Sequence, residues 1–208
     1  MPYPARALDP RDSATYERLR AAAFVNGADA AARQAMIDYL VTAQAFSKDN
    51  TKSLVYAGTL NQPGRNVGGD IRIGPTAFEQ DLAWLAGVLF HELVHSPQHA
   101  YYASKGVTQI DPDRSETERR MIALDELEAY SWSLTRSVEL ALSHAQQDEI
   151  RRRAKFALID LDDPTAQGLA KSRKFDAARD ELIRQYSPKP AGTQTTAMSR
   201  RNASSCYA

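Results

Sequence analysis

The run His91-Glu92-Leu93-Val94-His95 is the feature that most restricts this chain. It follows an apolar stretch with Leu82, Leu85, Ala86, Leu89 and Phe90 at helical spacing. On a helix, residues four apart lie about 40° from one another around the axis, one turn apart. His91 and His95 then project from one face and share one point in space. Glu92, turned by about 100°, stands beside that point. Two imidazoles at this spacing suit a metal ion, and the intervening Glu suits a general base acting on water held there.

Composition narrows the ligand set. The 208 residues contain one cysteine, Cys206, so neither an intrachain disulfide framework nor a cysteine-rich metal site is available. Any metal must be held by histidine and carboxylate, and the histidines number four: His91, His95, His99 and His144. Zn2+ fits such ligands, and a catalytic zinc needs three of them plus an open position. The third has three candidates. Glu126 shares a helix face with Ala129 and Tyr130 at i, i+3 and i+4, and the small Ala129 would let two helices approach beside it. Glu128 points elsewhere on the same helix, toward solvent or a partner behind the site. His99 would have to loop back after Ser96-Pro97 ends the first helix.

Lys plus Arg equals Asp plus Glu at 26 each, which argues against nucleic-acid binding through bulk charge and against a polybasic membrane anchor. Arg151-Arg152-Arg153 follows Asp148 and Glu149 and reads as a solvated helix face. No stretch reaches the ~18 apolar residues of a membrane span. The opening MPYPARALDPRD lacks the apolar segment of a signal peptide. A soluble protein is expected, cytoplasmic or secreted by a route that reads no signal peptide. No GxxxxGK[ST] or GxGxxG occurs.

The expected fold class is α+β, predominantly helical, with a single domain over 1–186. Two amphipathic helices occupy 11–46. Strands lie within 53–75, at Ser53 to Leu60 and Asp70 to Ile73, joined by a Gly- and Pro-rich loop. Thr76-Ala-Phe-Glu79 reads as a capping box for the His91 helix over 77–96, stopped at Pro97. Ser115-Glu-Thr-Glu118 is a second capping box, opening a helix over 115–143 whose end carries His144 as a C-terminal cap. Further helices fill 146–186, at Gln146 to Leu158, Pro164 to Lys171 and Lys174 to Tyr186. Residues 187–208 read as a disordered tail. Trp84 and Trp132 read as core or interface aromatics.

HELVH followed by Glu126-Leu127-Glu128-Ala129-Tyr130 resembles the gluzincin-type zincin metallopeptidases over about Asp70 to Leu134. The resemblance implies a small mixed sheet, an HExxH helix and a long second helix supplying a Glu ligand. Its Glu-x-x-Ala pattern places that ligand at Glu126, beside His91 and His95, with Glu92 as general base. It also implies an edge strand that pairs with an extended peptide, here Asp70, Ile71, Arg72 and Ile73. Tyr130 stands where many relatives carry Asp. HELVHSPQH lacks the glycine and spacing of the metzincin motif, which counts against His99 as a ligand and leaves it for the substrate side.

Tyr130, Tyr101, Tyr102, His99 and His144 are candidate donors to a developing oxyanion. The expected activity is peptide hydrolysis on a peptide or protein substrate. The setting is that of compact bacterial toxin or effector modules, acting on a host or competitor protein or a cell-wall peptide, with an inhibitor, immunity or delivery partner. A regulatory cytosolic protease and a catalytically silent binding module of the same fold are the alternatives.

Overall fold

A computed structural model describes residues 14–186 except 109, 112 and 114. The expected tail and the first residues of the expected N-terminal helix lie outside the described residues. The architecture is α+β. In chain order come α1 (Ala14–Ala23), α2 (Ala30–Ala43), β1 (Ser53–Tyr56), β2 (Gly64–Val67), β3 (Asp70–Ile73), a 3-10 turn (Pro75–Phe78), α3 (Leu82–Ser104), α4 (Glu116–Thr135), α5 (His144–Asp160), α6 (Pro164–Lys171) and α7 (Phe175–Gln185).

The three strands form one mixed sheet in the order β1-β3-β2. β3 runs parallel to β1 and antiparallel to β2, with Ile71 opposite Leu54 on one side and Asn66 on the other. Asp70 to Ile73 is therefore the central strand, and its expected role as a free edge is corrected. The missed strand is β2, hidden in what reads as a loop because Gly64 and the neighbouring Pro63 are poor strand formers. Its signal is the two-residue connection Gly68-Gly69, whose φ values of +59° and +94° belong to a tight hairpin.

Ile71 and Ile73 are fully buried against the helices, while Asp70 and Arg72 face outward. The β1 edge is closed by α2. Gln34 donates to the Leu54 carbonyl at 3.3 Å and accepts from the Tyr56 N–H at 2.7 Å, as a neighbouring strand would. Among the described residues, no strand lies beyond the β2 edge.

Helix α3 differs from expectation at both ends. Its cap is Asp81, which accepts from the Trp84 N–H at 2.8 Å, whereas Thr76 lies in the preceding 3-10 turn. It then runs through Pro97 to Ser104. An interior proline costs about 3 kcal/mol, because it removes one backbone bond and crowds the preceding turn. Burial on both sides of Pro97 opposes that cost: Ser96, Gln98 and Tyr102 are each under 5% exposed.

Helix α4 ends at Thr135, eight residues earlier than expected. Ser143 and Gln146 then form a capping box for α5, so His144 is the exposed first residue of a new helix rather than the end of α4. The S-x-x-Q spacing carried that signal.

Two apolar clusters hold these elements. One gathers Met36, Leu40, Ile71, Ile73, Leu85 and Leu89 from α2, the sheet and α3. The other gathers Tyr102, Met121, Leu124, Phe175 and Leu182 from the far end of α3, α4 and α7. Helices α3 and α4 belong to both, and their crossing lies between them.

The hairpin gives a stability test. A Cβ at Gly69 would lie 2.5 Å from the Asn50 carbonyl oxygen, whereas at Gly68 the nearest atom is the Lys52 Nζ at 3.8 Å. Both positions carry the left-handed penalty of about 1–2 kcal/mol for an L-residue. Gly69→Ala should therefore lower the urea midpoint clearly more than Gly68→Ala.

Candidate metal centre

The continuous helix α3 places His91 and His95 on one face, and α4 crosses it with fully buried Ala129 near the contact. This crossing delivers Glu126. Its Oε2 lies 3.2 Å from His91 Nε2, and its Oε1 lies 3.5 Å from His95 Nε2. The two imidazole nitrogens are 3.2 Å apart. A tetrahedral ion with bonds of about 2.0–2.2 Å keeps its ligand atoms about 3.3–3.5 Å apart. His91, His95 and Glu126 therefore form a group that could hold a metal ion.

The surroundings favour positive charge at this point. Burial works against a charged His95, yet Glu126 beside it, with Glu92 and Asp125 farther off, pushes its pKa up to about 10. Burial likewise opposes ionisation of Glu126, but His91 and His95 outweigh it and hold the carboxyl well below its usual range. A divalent cation answers the same field.

Glu92 stands beside the three ligands, 7% exposed. Burial raises its pKa against the pull of His91 and His95, which makes it a stronger base than an exposed carboxylate. Strand β2 fixes its place in two ways. Asn66 Nδ2 donates to the Glu92 carbonyl at 2.7 Å. Gly64 leaves room for the side chain, since a Cβ there would lie 2.6 Å from Glu92 Cγ and Oε1.

The remaining candidates are distributed differently. His99 stays on α3 instead of looping back, with its ring 6.4 Å from that of His95. Burial and the nearby His95 lower its pKa to about 4, and it hydrogen-bonds the Asn66 backbone. Glu128 turns away from the three ligands and accepts from Gln98 Nε2 at 2.8 Å. Tyr102 is buried with its hydroxyl on Asp125, and Tyr101 reaches Asp180 at 2.8 Å. His144 is not among the residues lining the cleft.

Tyr130 is. Its ring lies 4.6 Å from that of His91, and its hydroxyl interacts with both Glu126 and Arg153. Burial and then Glu126 raise its pKa, so it remains a protonated donor.

The cleft beside His91, Glu92 and Glu126 has a volume of about 150 Å3. Its apolar wall includes Trp84, Val88, Leu142 and Ile150, and Gln62 to Gly64 form its rim. Arg153 also lines it, a position that the basic run concealed. Arg151 and Arg152 pair outward with Asp148 and Glu149, whereas Arg153 pairs with Glu149 at 2.7 Å and turns inward. The signal was positional: Arg153 lies three residues after the buried Ile150, on the same face of α5.

Zn2+ or Co2+ should bind one per chain in equilibrium dialysis. At a thousandfold excess over Kd, a ligand of the native state stabilises it by about 4 kcal/mol, visible as a raised melting temperature. His91→Ala, His95→Ala and Glu126→Ala should each remove that rise, and His99→Ala should retain it. In comparisons with known proteins, the chain matches no family model, no curated protein and no solved structure.

Proposed function

We propose that the chain is a zinc-dependent peptidase of the zincin type. One observation carries this reading: a buried carboxylate, Glu92, stands beside a His91-His95-Glu126 group at a cleft bordered by Gly64 of β2, the outer strand among the described residues. Two imidazoles and one carboxylate are a donor set of catalytic zinc. When bound, zinc acidifies a water molecule toward a pKa of ~7 and polarises a carbonyl.

The chain's own residues supply the remainder. Glu92 takes the proton from water as it attacks the scissile carbonyl carbon, then hands it to the departing amide nitrogen. Tyr130, held protonated, donates to the oxygen that gains negative charge, with the Arg153 cation behind it.

The expected peptide-pairing strand moves from β3 to β2. The Gly68-Gly69 hairpin makes Val67 and Asp70 a hydrogen-bonded pair, and Pro63 accepts from the Gly74 N–H at 2.8 Å. By antiparallel alternation, the main-chain groups of Gly64 and Asn66 face away from β3. The Gly64 groups and the Asn66 N–H offer an extended substrate main-chain bonds along the cleft rim. The apolar wall of Trp84, Val88, Leu142 and Ile150 accepts an apolar side chain near the scissile bond.

A peptide-library digest with and without chelator tests the reading, and chelator-sensitive cleavage beside apolar residues is expected. Glu92→Gln should keep the metal and lose about 10²–10⁴-fold in kcat, the usual worth of a positioned acid–base group. Gly64→Ala should also keep the metal and lower kcat, because the added methyl displaces Glu92. Metal binding without chelator-sensitive cleavage would instead make the chain a metal-holding binding module.

A further inference from the structure

Behind His95, a line of hydrogen bonds runs inward and ends on α7. His95 Nδ1 meets Gln98 Oε1 at 2.7 Å. Gln98 Nε2 donates to Glu128 Oε2 at 2.8 Å. Arg179, on α7 and 2% exposed, donates to the same Glu128 oxygen and, through Nε, to Asp125 Oδ1 at 3.0 Å. The line exists because α3 continues past Pro97, which puts Gln98 three residues after His95 on one helix face.

The polarity of this line is determined from its far end, and the Asp125 carbonyl, which accepts from Gln98 Nε2 at 3.2 Å, enforces the same direction. Guanidinium is a donor only, and it retains its charge. The carboxylate it holds is an acceptor only. Gln98 must therefore direct its NH2 toward Glu128 and its oxygen toward His95. That oxygen can only accept, so His95 Nδ1 carries the hydrogen. In the neutral imidazole, the form that binds a metal, the lone pair of His95 Nε2 is then left to face His91 and Glu126.

We propose that Gln98, Glu128 and Arg179 are positioning residues which fix His95 in its metal-binding tautomer, making α7 part of the metal site. This rests on the reading of His91, His95 and Glu126 as metal ligands. A role in packing alone would depend on shape. The proposed role depends on the order of donors and acceptors, and the two can be separated.

The test is Zn2+ affinity of the full chain, measured by competition with a chromophoric chelator, alongside the melting curve of each metal-free variant. Gln98→Leu removes the acceptor facing His95, and Glu128→Gln replaces the acceptor-only group by an amide that also donates. Each should weaken Zn2+ binding by about 10–100-fold, the usual loss when a partner behind a ligating histidine is removed. Combining Gln98→Glu with Glu128→Gln keeps net charge, retains an acceptor toward His95 and restores a donor behind it. This exchange should recover most of the affinity that Glu128→Gln loses. Arg179→Met should also weaken binding, and if it does not fold, the exchange still decides.

Variants that bind Zn2+ as tightly as the unaltered chain would overturn the relay and leave the metal site standing. An exchange that recovers nothing while remaining folded would overturn it too. If the unaltered chain binds no Zn2+, the metal site and the relay fall together.

Discussion

The crossing of α3 and α4 is the constraint on which the rest depends. It brings the Glu126 carboxylate against two imidazoles one helical turn apart, with a second carboxylate, Glu92, beside them. Removing such groups from water is expensive unless opposite charge or hydrogen bonds replace hydration. The fold accepts that cost in a small volume. Apolar burial on either side of the crossing opposes it, with one cluster centred on α2, the sheet and α3 and the other on α4, α6 and α7. The polar groups thus lie at the junction of the two clusters, where Tyr102 of the second meets Asp125 and Arg179.

The charge on the two sides of α4 is arranged differently. Toward the cleft, Glu126 faces imidazoles, which attract a cation as readily as they take protons. Toward the interior, Asp125 and Glu128 face Arg179, whose charge is permanent. Burial drives Asp125 up to about 6, even with Arg179 and His95 pulling the other way. The interior pairing is consequently a closed arrangement, while the cleft arrangement is one that could hold a metal ion. One helix thus carries a structural ion pair and a candidate ligand within four residues.

Most of the site was legible in the sequence because its logic is local. His91, Glu92 and His95 follow from helical spacing alone, and the Glu126 face follows from its spacing to Ala129 and Tyr130. What could not be read depended on tertiary compensation. Proline signals a helix end, and only the burial of Ser96, Gln98 and Tyr102 overrides that signal. The short strand Gly64–Val67 is concealed by its glycine, yet that glycine is what lets Glu92 stand where it does. Arg153 looked like one of three solvated arginines, because a run of like residues does not reveal which one turns inward. The end of α4 and the place of His144 were different: the S-x-x-Q box at Ser143 was present to be read.

The misread segments share a cause that bears on function. Pro97 and Gly64 each violate a local preference, and each violation changes something beside the His91-His95-Glu126 group. Continuing through Pro97 puts Gln98 behind His95 and keeps His99 from folding back into the ligand set. Gly64 admits the Glu92 side chain. Natural sequences depart from local rules where a site demands it, and the departures here converge on one crossing. A chain selected only for packing would have no reason to put a proline inside its most buried helix and a glycine opposite a buried carboxylate. The local costs of Pro97 and Gly64 are thus gathered around His91, His95 and Glu126.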